Sequence, residues 1–114
     1  MLNEREFDVL NILWKFKKPM TSTDIVNEMR GLTQSTVIAV LRKLLKDGLV
    51  RVEGVTHSGK VLSRTYRPTE ESREVLINDF IELYQKFSAV VPADQLANEI
   101  LKVGNAEKEA VTEN

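Results

Sequence analysis

The spacing of the apolar residues changes once along this chain, near residue 49, and that change most constrains its fold. Before residue 49, apolar residues recur every three or four positions in three separate segments, a spacing that predicts helices. Over residues 50–67, β-branched residues alternate with polar ones on either side of "HSGK", a pattern that predicts a two-stranded hairpin. The first part of the chain is therefore expected to contain three helices and then a hairpin that ends at Pro68.

Capping residues mark the limits of the three helices. The first is expected over residues 3–17, where Asn3 and Glu6 form a capping pair. The second, 21–31, is expected to begin with Thr21 as its cap and Asp24 at its third helical position, and the third, 33–47, with Thr33 as its cap. These two helices are joined by so short a turn that they are expected to cross at a steep angle. The apolar residues expected in the core are Phe7, Leu10, Leu13, Trp14, Ile25, Val26, Met29, Val37, Leu41 and Leu44.

The outward face of the third helix carries no acidic residue before Asp47. The residues opposite its buried stripe are Ser35, Ala39, Arg42 and Lys46. Residues 30–67 hold eight basic and two acidic residues, although the whole chain has a net charge of −1. Because a carboxylate facing phosphate would be repelled, this local excess of positive charge predicts a DNA-binding surface.

Three helices followed by a basic hairpin form a winged helix-turn-helix, a mainly helical fold with a small antiparallel hairpin. Its third helix enters the major groove, where Arg42 would form a forked contact with guanine and Ala39 would touch a thymine methyl group. His57, at the hairpin tip, has no residues nearby in sequence to share a metal ion, so it is expected to contact phosphate. The predicted DNA-binding residues are Thr33, Gln34, Ser35, Thr36, Ile38, Ala39, Arg42, Lys43, Lys46, His57, Lys60 and Arg64.

Residues 69–114 are acidic, with four basic and ten acidic residues. Thr69 is expected to cap a helix over residues 70–87, whose apolar face is wider than packing on a small domain requires. A short last helix is expected to begin near Pro92 and to stop at Gly104.

The wide apolar face predicts a dimer interface, because a single recognition helix rarely provides enough affinity for DNA. The alternative is that this helix folds back on its own domain. We expect a winged-helix DNA-binding domain over residues 1–68, a helical dimerisation region over 69–104 and a disordered tail over 105–114. The predicted dimerisation residues are Leu76, Ile77, Phe80, Ile81, Leu83, Tyr84, Phe87, Leu96 and Ile100.

The composition argues against an enzyme. The chain has no cysteine, one histidine and no glycine-rich phosphate loop, so no nucleophile has a base and no metal ligands are suitably spaced. We therefore predict no catalytic residue, no metal and no cofactor. No apolar stretch approaches the ~18 residues of a membrane span, and the N-terminus is not a secretion signal, so a cytoplasmic protein without a membrane partner is expected.

Three stretches resemble the penicillinase-repressor family, the BlaI/MecI group with its copper-responsive CopY branch. They are "FDVLNILWKFKKPMTSTDIVNEM", "STVIAVLRKLLKDGLVRVE" and "SRTYRPT", and the resemblance covers roughly residues 2–87. It implies a dimeric bacterial repressor whose C-terminal helices form the dimer, which would make residues 69–103 the dimerisation element.

Three features depart from members of that family. Copper-responsive members carry paired cysteines near the C-terminus, and the absence of cysteine here excludes a thiolate copper switch. The β-lactam-responsive members are released by proteolysis, but no cleavage point aligns here, so the inducing signal, ligand or protease, is left open. The hairpin also looks longer than in the β-lactam-responsive members.

These observations predict a homodimeric repressor that binds a pseudo-palindromic operator in double-stranded DNA. A winged helix used for protein–protein interaction is an alternative, but it would predict an apolar or acidic surface on the third helix. A second alternative is a ligand-sensing regulator of the MarR type, which normally has dimerisation helices at both ends of the domain. Here only two residues precede the first cap. The operator sequence and the regulated genes are left open.

Overall fold

The computed structural model describes residues 1–112, and it confirms the predicted fold of helices with one antiparallel hairpin. These residues form two compact units, residues 1–79 and the residues from Phe80 onward. The first unit extends beyond the expected boundary at residue 68, since it includes the beginning of a helix. The elements in chain order are α1 (Glu4–Phe16), α2 (Ser22–Val26), α3 (Gln34–Lys46), β1 (Val50–Ser58), β2 (Val61–Pro68), α4 (Glu70–Gln85) and α5 (Ala93–Thr112).

The first two helices begin with the predicted capping residues. The side chain of Asn3 accepts a hydrogen bond from the backbone of Glu6, and the Glu6 carboxylate accepts one from the backbone of Asn3. Thr21 and Asp24 form the same reciprocal pair at α2. The α2 helix is shorter than expected, because the chain leaves it after Val26 and continues through turns with i→i+3 hydrogen bonds to residue 31.

The core of the first unit is built from one face each of α1 and α3, together with residues from α2, the connections and the start of β1. Its fully or almost fully buried apolar residues are Val9, Leu10, Ile12, Leu13, Met20, Ile25, Leu32, Val37, Leu41, Leu44, Leu49 and Val50. Phe7 was expected here, but it is half exposed, because it lies on the side of α1 that also carries Asn11 and Trp14. Trp14 is partly buried, and its indole nitrogen donates to Ser72 Oγ at 3.0 Å.

The hairpin is attached to the domain at its base and extends away from it. Met20 and Tyr66 exchange two backbone hydrogen bonds of 3.1 and 2.8 Å, which hold β2 against the segment between α1 and α2. The strands pair from Val50 with Pro68 up to a turn at Gly59 and Lys60, where Gly59 has a φ of 66°. A bulge at Glu53 interrupts the pairing near the base.

The last helix differs from the prediction. It continues through Gly104 to Thr112, so the expected stop at Gly104 and the expected disorder over residues 105–112 are wrong, whereas 113 and 114 lie outside the described residues. A glycine inside a helix costs only about 1 kcal/mol relative to alanine, and the alanine, glutamate and lysine residues that follow favour helix. No helix within residues 1–112 is long and apolar enough to cross a membrane.

Candidate nucleic-acid interface

The predicted recognition helix, α3, is fixed at its start by polar contacts. Thr33 Oγ1 accepts a hydrogen bond from the backbone of Thr36 at 3.2 Å and donates to Thr36 Oγ1 at 2.9 Å. Gln34 Nε2 donates to Ser22 Oγ at 2.6 Å, which joins the start of α3 to α2. Thr33, Gln34 and Thr36, all predicted to bind DNA, therefore also hold the helix-turn-helix together.

The outward face of α3 is exposed along its whole length, as the sequence predicts. Val37, Leu41 and Leu44 turn into the core and are almost inaccessible. The residues of the opposite face, all exposed, are Ser35, Ile38, Ala39, Arg42 and Lys46. This face therefore offers small residues near its start and cations further along.

Lys43 also lies on α3, but its ammonium group already has partners in the same domain. Its Nζ lies 2.6 Å from Glu6 Oε2 and 3.9 Å from Asp47 Oδ2. Burial alone would raise the pKa of Glu6, but hydrogen bonds from Asn3 and Lys43 outweigh it, so the pKa is lowered. The hydrogen bond to Glu6 raises the pKa of Lys43. The sequence provided no signal for this pair, because its members are far apart along the chain.

The base of the hairpin contains two arginines that share one carboxylate. Arg51 and Arg67 lie directly opposite each other on the two strands, an arrangement that is unfavourable for like charges. Glu53, at the bulge, forms an ion pair with Arg51 and lies 3.7 Å from Arg67 Nε. These two cations are therefore neutralised where the hairpin joins the domain.

The outer part of the hairpin has the opposite character. His57, Lys60 and Arg64 are exposed, and none of them makes an ion pair with another described residue. The same holds for two residues of α3. We use the name unpaired cations for these four residues of α3 and the outer hairpin, Arg42, Lys46, Lys60 and Arg64. Within the described residues, no cluster of His, Cys, Asp or Glu could hold a metal ion.

The predicted dimerisation residues fall into three groups. Leu76 is partly buried against the core of the first unit, so it already has an intramolecular partner. Tyr84 and Leu96 are partly buried, and Tyr84 donates its hydroxyl hydrogen bond to the Val91 carbonyl at 2.7 Å. The others are 47–54% exposed: Ile77, Phe80, Ile81, Leu83, Phe87 and Ile100.

The second unit exposes further apolar residues that the sequence analysis did not select. Val90, Leu101 and Val103 are between 60 and 78% exposed. A cavity of about 300 Å³ in this unit is lined by Phe80, Leu83, Tyr84, Phe87, Val90, Val91 and Leu96. Leu101 and Val103 follow Ile100 closely, so the apolar content of this stretch of sequence could have indicated them as further candidates for the dimer interface.

A comparison with protein families gives one match. The family model described as penicillinase repressor matches residues 2–113, nearly the whole chain. No curated protein matches the sequence significantly.

Solved structures of regulators share the fold. Bacillus subtilis PadR in complex with operator DNA has a TM-score of 0.54 and 13% identity, covering 95% of this chain and 72% of that one. A mutant of MepR from multidrug-resistant S. aureus has a TM-score of 0.60 and 19% identity, covering 99% and 80%. The PcaV transcriptional regulator of Streptomyces coelicolor, with its natural ligand, has a TM-score of 0.58 and 22% identity, covering 96% and 77%. At these identities the likeness concerns the fold alone, and it is that of winged-helix regulators.

Proposed function

The chain belongs to the penicillinase repressor family, and from this premise we propose that it represses transcription as a homodimer bound to a pseudo-palindromic operator. The chain is a winged-helix DNA-binding regulator. Repression would follow from occupying a promoter and excluding polymerase. The protein would act in the cytoplasm, where bacterial DNA is found.

The unpaired cations support DNA as the partner. Lys43, Arg51 and Arg67 have carboxylate partners in their own domain, whereas the unpaired cations on α3 and the outer hairpin have none among the described residues. Exposed cations without a nearby carboxylate are available to neutralise phosphates, and each contact releases counterions from DNA. This separation of paired from unpaired cations carries the proposal.

The unpaired cations and their neighbours would make different kinds of contact with DNA. Arg42 would form the forked contact with a guanine edge, and Ala39 would contact a thymine methyl group. Lys46, Lys60 and Arg64 would contact phosphates and set the register without reading sequence. The remaining predicted contacts, close to the start of α3 and at the hairpin tip, would be made by Thr33, Gln34, Ser35, Thr36, Ile38 and His57.

The exposed apolar residues from Ile77 onward support the homodimer. Phe80, Leu83 and Phe87 are each about half exposed and line one cavity, and a group of large exposed apolar residues is typical of a protein–protein contact. A dimer would present two copies of α3 to successive major grooves, with centres about 34–36 Å apart or a multiple of that distance.

Selection of bound fragments from random DNA, at two salt concentrations, tests the proposal directly. We expect enriched fragments with two related half-sites in inverted orientation, one helical turn or a multiple apart. Affinity should fall steeply with salt because phosphate contacts release counterions. A selected pool that binds no better than the starting pool would contradict sequence-specific binding, and single, unrepeated sites would contradict the dimer.

A further inference from the structure

The ion pair between Glu6 and Lys43 joins α1 to the recognition helix. Glu6 is only 2% exposed, whereas the side chain of Lys43 is 60% exposed. Both carboxylate oxygens of Glu6 are used, because Oε1 accepts the backbone N–H of Asn3 at 2.9 Å and Oε2 contacts Lys43 Nζ at 2.6 Å. The carboxylate therefore cannot rotate without losing one of these bonds.

The N-terminal segment that carries Glu6 is also held by α4. The backbone N–H of Leu2 donates to Asp79 Oδ2 at 2.7 Å, and the Leu2 side chain packs against the core. Residues 2–6 are thus bonded to α4 on one side and to α3 on the other. All of these residues belong to the first compact unit.

Lys43 and Lys46 lie on the same helix but have different surroundings. Lys46 is exposed and makes no ion pair with any described residue, whereas Lys43 is bonded to a buried carboxylate. If Lys43 moved to a phosphate, it would leave the Glu6 carboxylate buried without its cation, which is strongly unfavourable. Its charge is therefore already used within the domain.

We infer that Glu6, acting through Lys43, is a positioning residue that holds the recognition helix in the orientation required to read bases. The inference rests on the proposed DNA binding, and it assigns Lys43 to the domain's internal structure rather than to a phosphate. Hydrogen bonds to base edges require heavy-atom distances of about 2.7–3.2 Å, so a small shift of α3 breaks them. Phosphate contacts tolerate such a shift, because Coulomb attraction decreases slowly with distance.

The test uses the full chain and compares three single variants: Glu6→Gln, Lys43→Gln and the matched control Lys46→Gln. Equilibrium dissociation constants are measured for a selected fragment and for random DNA over a series of salt concentrations. Lys46→Gln should lower the slope of log affinity against log salt by about 0.9, the value for one lost phosphate contact. It should also weaken both kinds of DNA.

Lys43→Gln and Glu6→Gln should behave differently from that control and like each other. Each should leave the salt slope and the affinity for random DNA unchanged, and lower the affinity for the selected fragment by roughly tenfold, within the range for coupled residues of one network. For Glu6→Gln this loss would occur although the variant removes a negative charge. The double variant should lose no more than either single variant.

Two outcomes would overturn the inference. One is a Lys43→Gln variant with a salt slope reduced as much as in Lys46→Gln, which would make Lys43 a phosphate contact. The other is a Glu6→Gln variant that binds the selected fragment as tightly as the unmodified protein does. Partial unfolding is recognisable, because a smaller folded fraction lowers apparent affinity for both kinds of DNA equally. If the unmodified protein itself does not distinguish the selected fragment from random DNA, the proposed function fails, which is a separate result.

Discussion

The two compact units of this chain both contain amphipathic helices, yet they bury their apolar residues to different extents. In residues 1–79, the apolar faces of α1 and α3 and the start of β1 meet in one core that is almost inaccessible to water. From Phe80 onward, large apolar residues such as Phe80, Phe87 and Leu101 remain about half or more exposed. In the first unit, the elements therefore cover one another's apolar faces. In the second unit, much of the apolar surface stays uncovered.

This difference has a thermodynamic consequence. The stability of the first unit should depend on its own side chains and be independent of protein concentration. The stability of the second unit, in the proposed homodimer, should depend on concentration, because a partner covers this apolar surface. Substitutions in each unit can separate these two expectations.

The largest effect is expected in the core of the first unit. Leu13→Ala removes a fully buried side chain and leaves a cavity, so the free energy of unfolding should fall by about 2–5 kcal/mol. Urea unfolding followed by circular dichroism at two protein concentrations measures this. An equal loss at both concentrations is expected, and a loss that depends on concentration would mean that the two units unfold together.

The next effect concerns association. The pair of substitutions Phe80→Asp and Leu83→Asp places charges on the exposed apolar surface and should shift the protein to monomers, with at least about 2 kcal/mol lost from association. Sedimentation velocity gives the mass. The matched control Glu82→Gln, on an exposed residue between them, should leave the dimer intact. An unchanged mass for the double variant would contradict this interface.

Arg42 and Lys60, two exposed cations of the first unit, should contribute to DNA binding in different ways. Arg42→Ala should cost about 1–3 kcal/mol on the selected fragment and much less on random DNA, because a base contact is lost. Lys60→Ala should weaken both to a similar extent, since phosphates are the same in every sequence. Binding titrations with the two DNAs measure this. Equal losses on both DNAs for Arg42→Ala would remove its assignment to base reading.

What the sequence could predict depends on the distance over which each interaction acts. The capping residues Asn3, Thr21 and Thr33 were identified correctly, because each bonds to a residue three positions away. The change from helical to alternating spacing located the hairpin within a residue or two. Features of this kind are predictable because the residues that cause them are close together in the sequence.

Contacts between distant residues could not be predicted in the same way. Lys43 and Glu6 are 37 positions apart, and nothing in the sequence around Lys43 indicates that its ammonium group already has a carboxylate partner. Phe7 fits the apolar stripe of α1 but lies at its edge, where the neighbour is α4 rather than the core. The roles of the individual DNA-binding and dimerisation residues remain predictions.

A smaller effect is expected in the second unit at Gly104. An added Cβ there would meet nothing within 4 Å, so Gly104→Ala should stabilise α5 by up to about 1 kcal/mol through backbone entropy. Thermal unfolding at low concentration measures the gain, and sedimentation shows whether association changes. A weaker dimer in the Gly104→Ala variant would place a partner helix close to this backbone.

The smallest effect concerns how the stability of the first unit depends on pH. The folded-state pKa of Glu6 is lowered, so its charge stabilises the fold above the unfolded value of about 4.3, and this contribution is lost as the pH falls through the folded-state pKa. The stability difference between the unmodified protein and Glu6→Gln should therefore be constant near neutral pH and shrink below about pH 4.3. Urea unfolding at several pH values tests this, with Glu4→Gln, an exposed carboxylate of the same turn, as the control. A stability difference that stays constant down to about pH 3 would show that Glu6 contributes through packing rather than through its charge. The ion pair with Lys43 would then not stabilise the fold by electrostatic attraction.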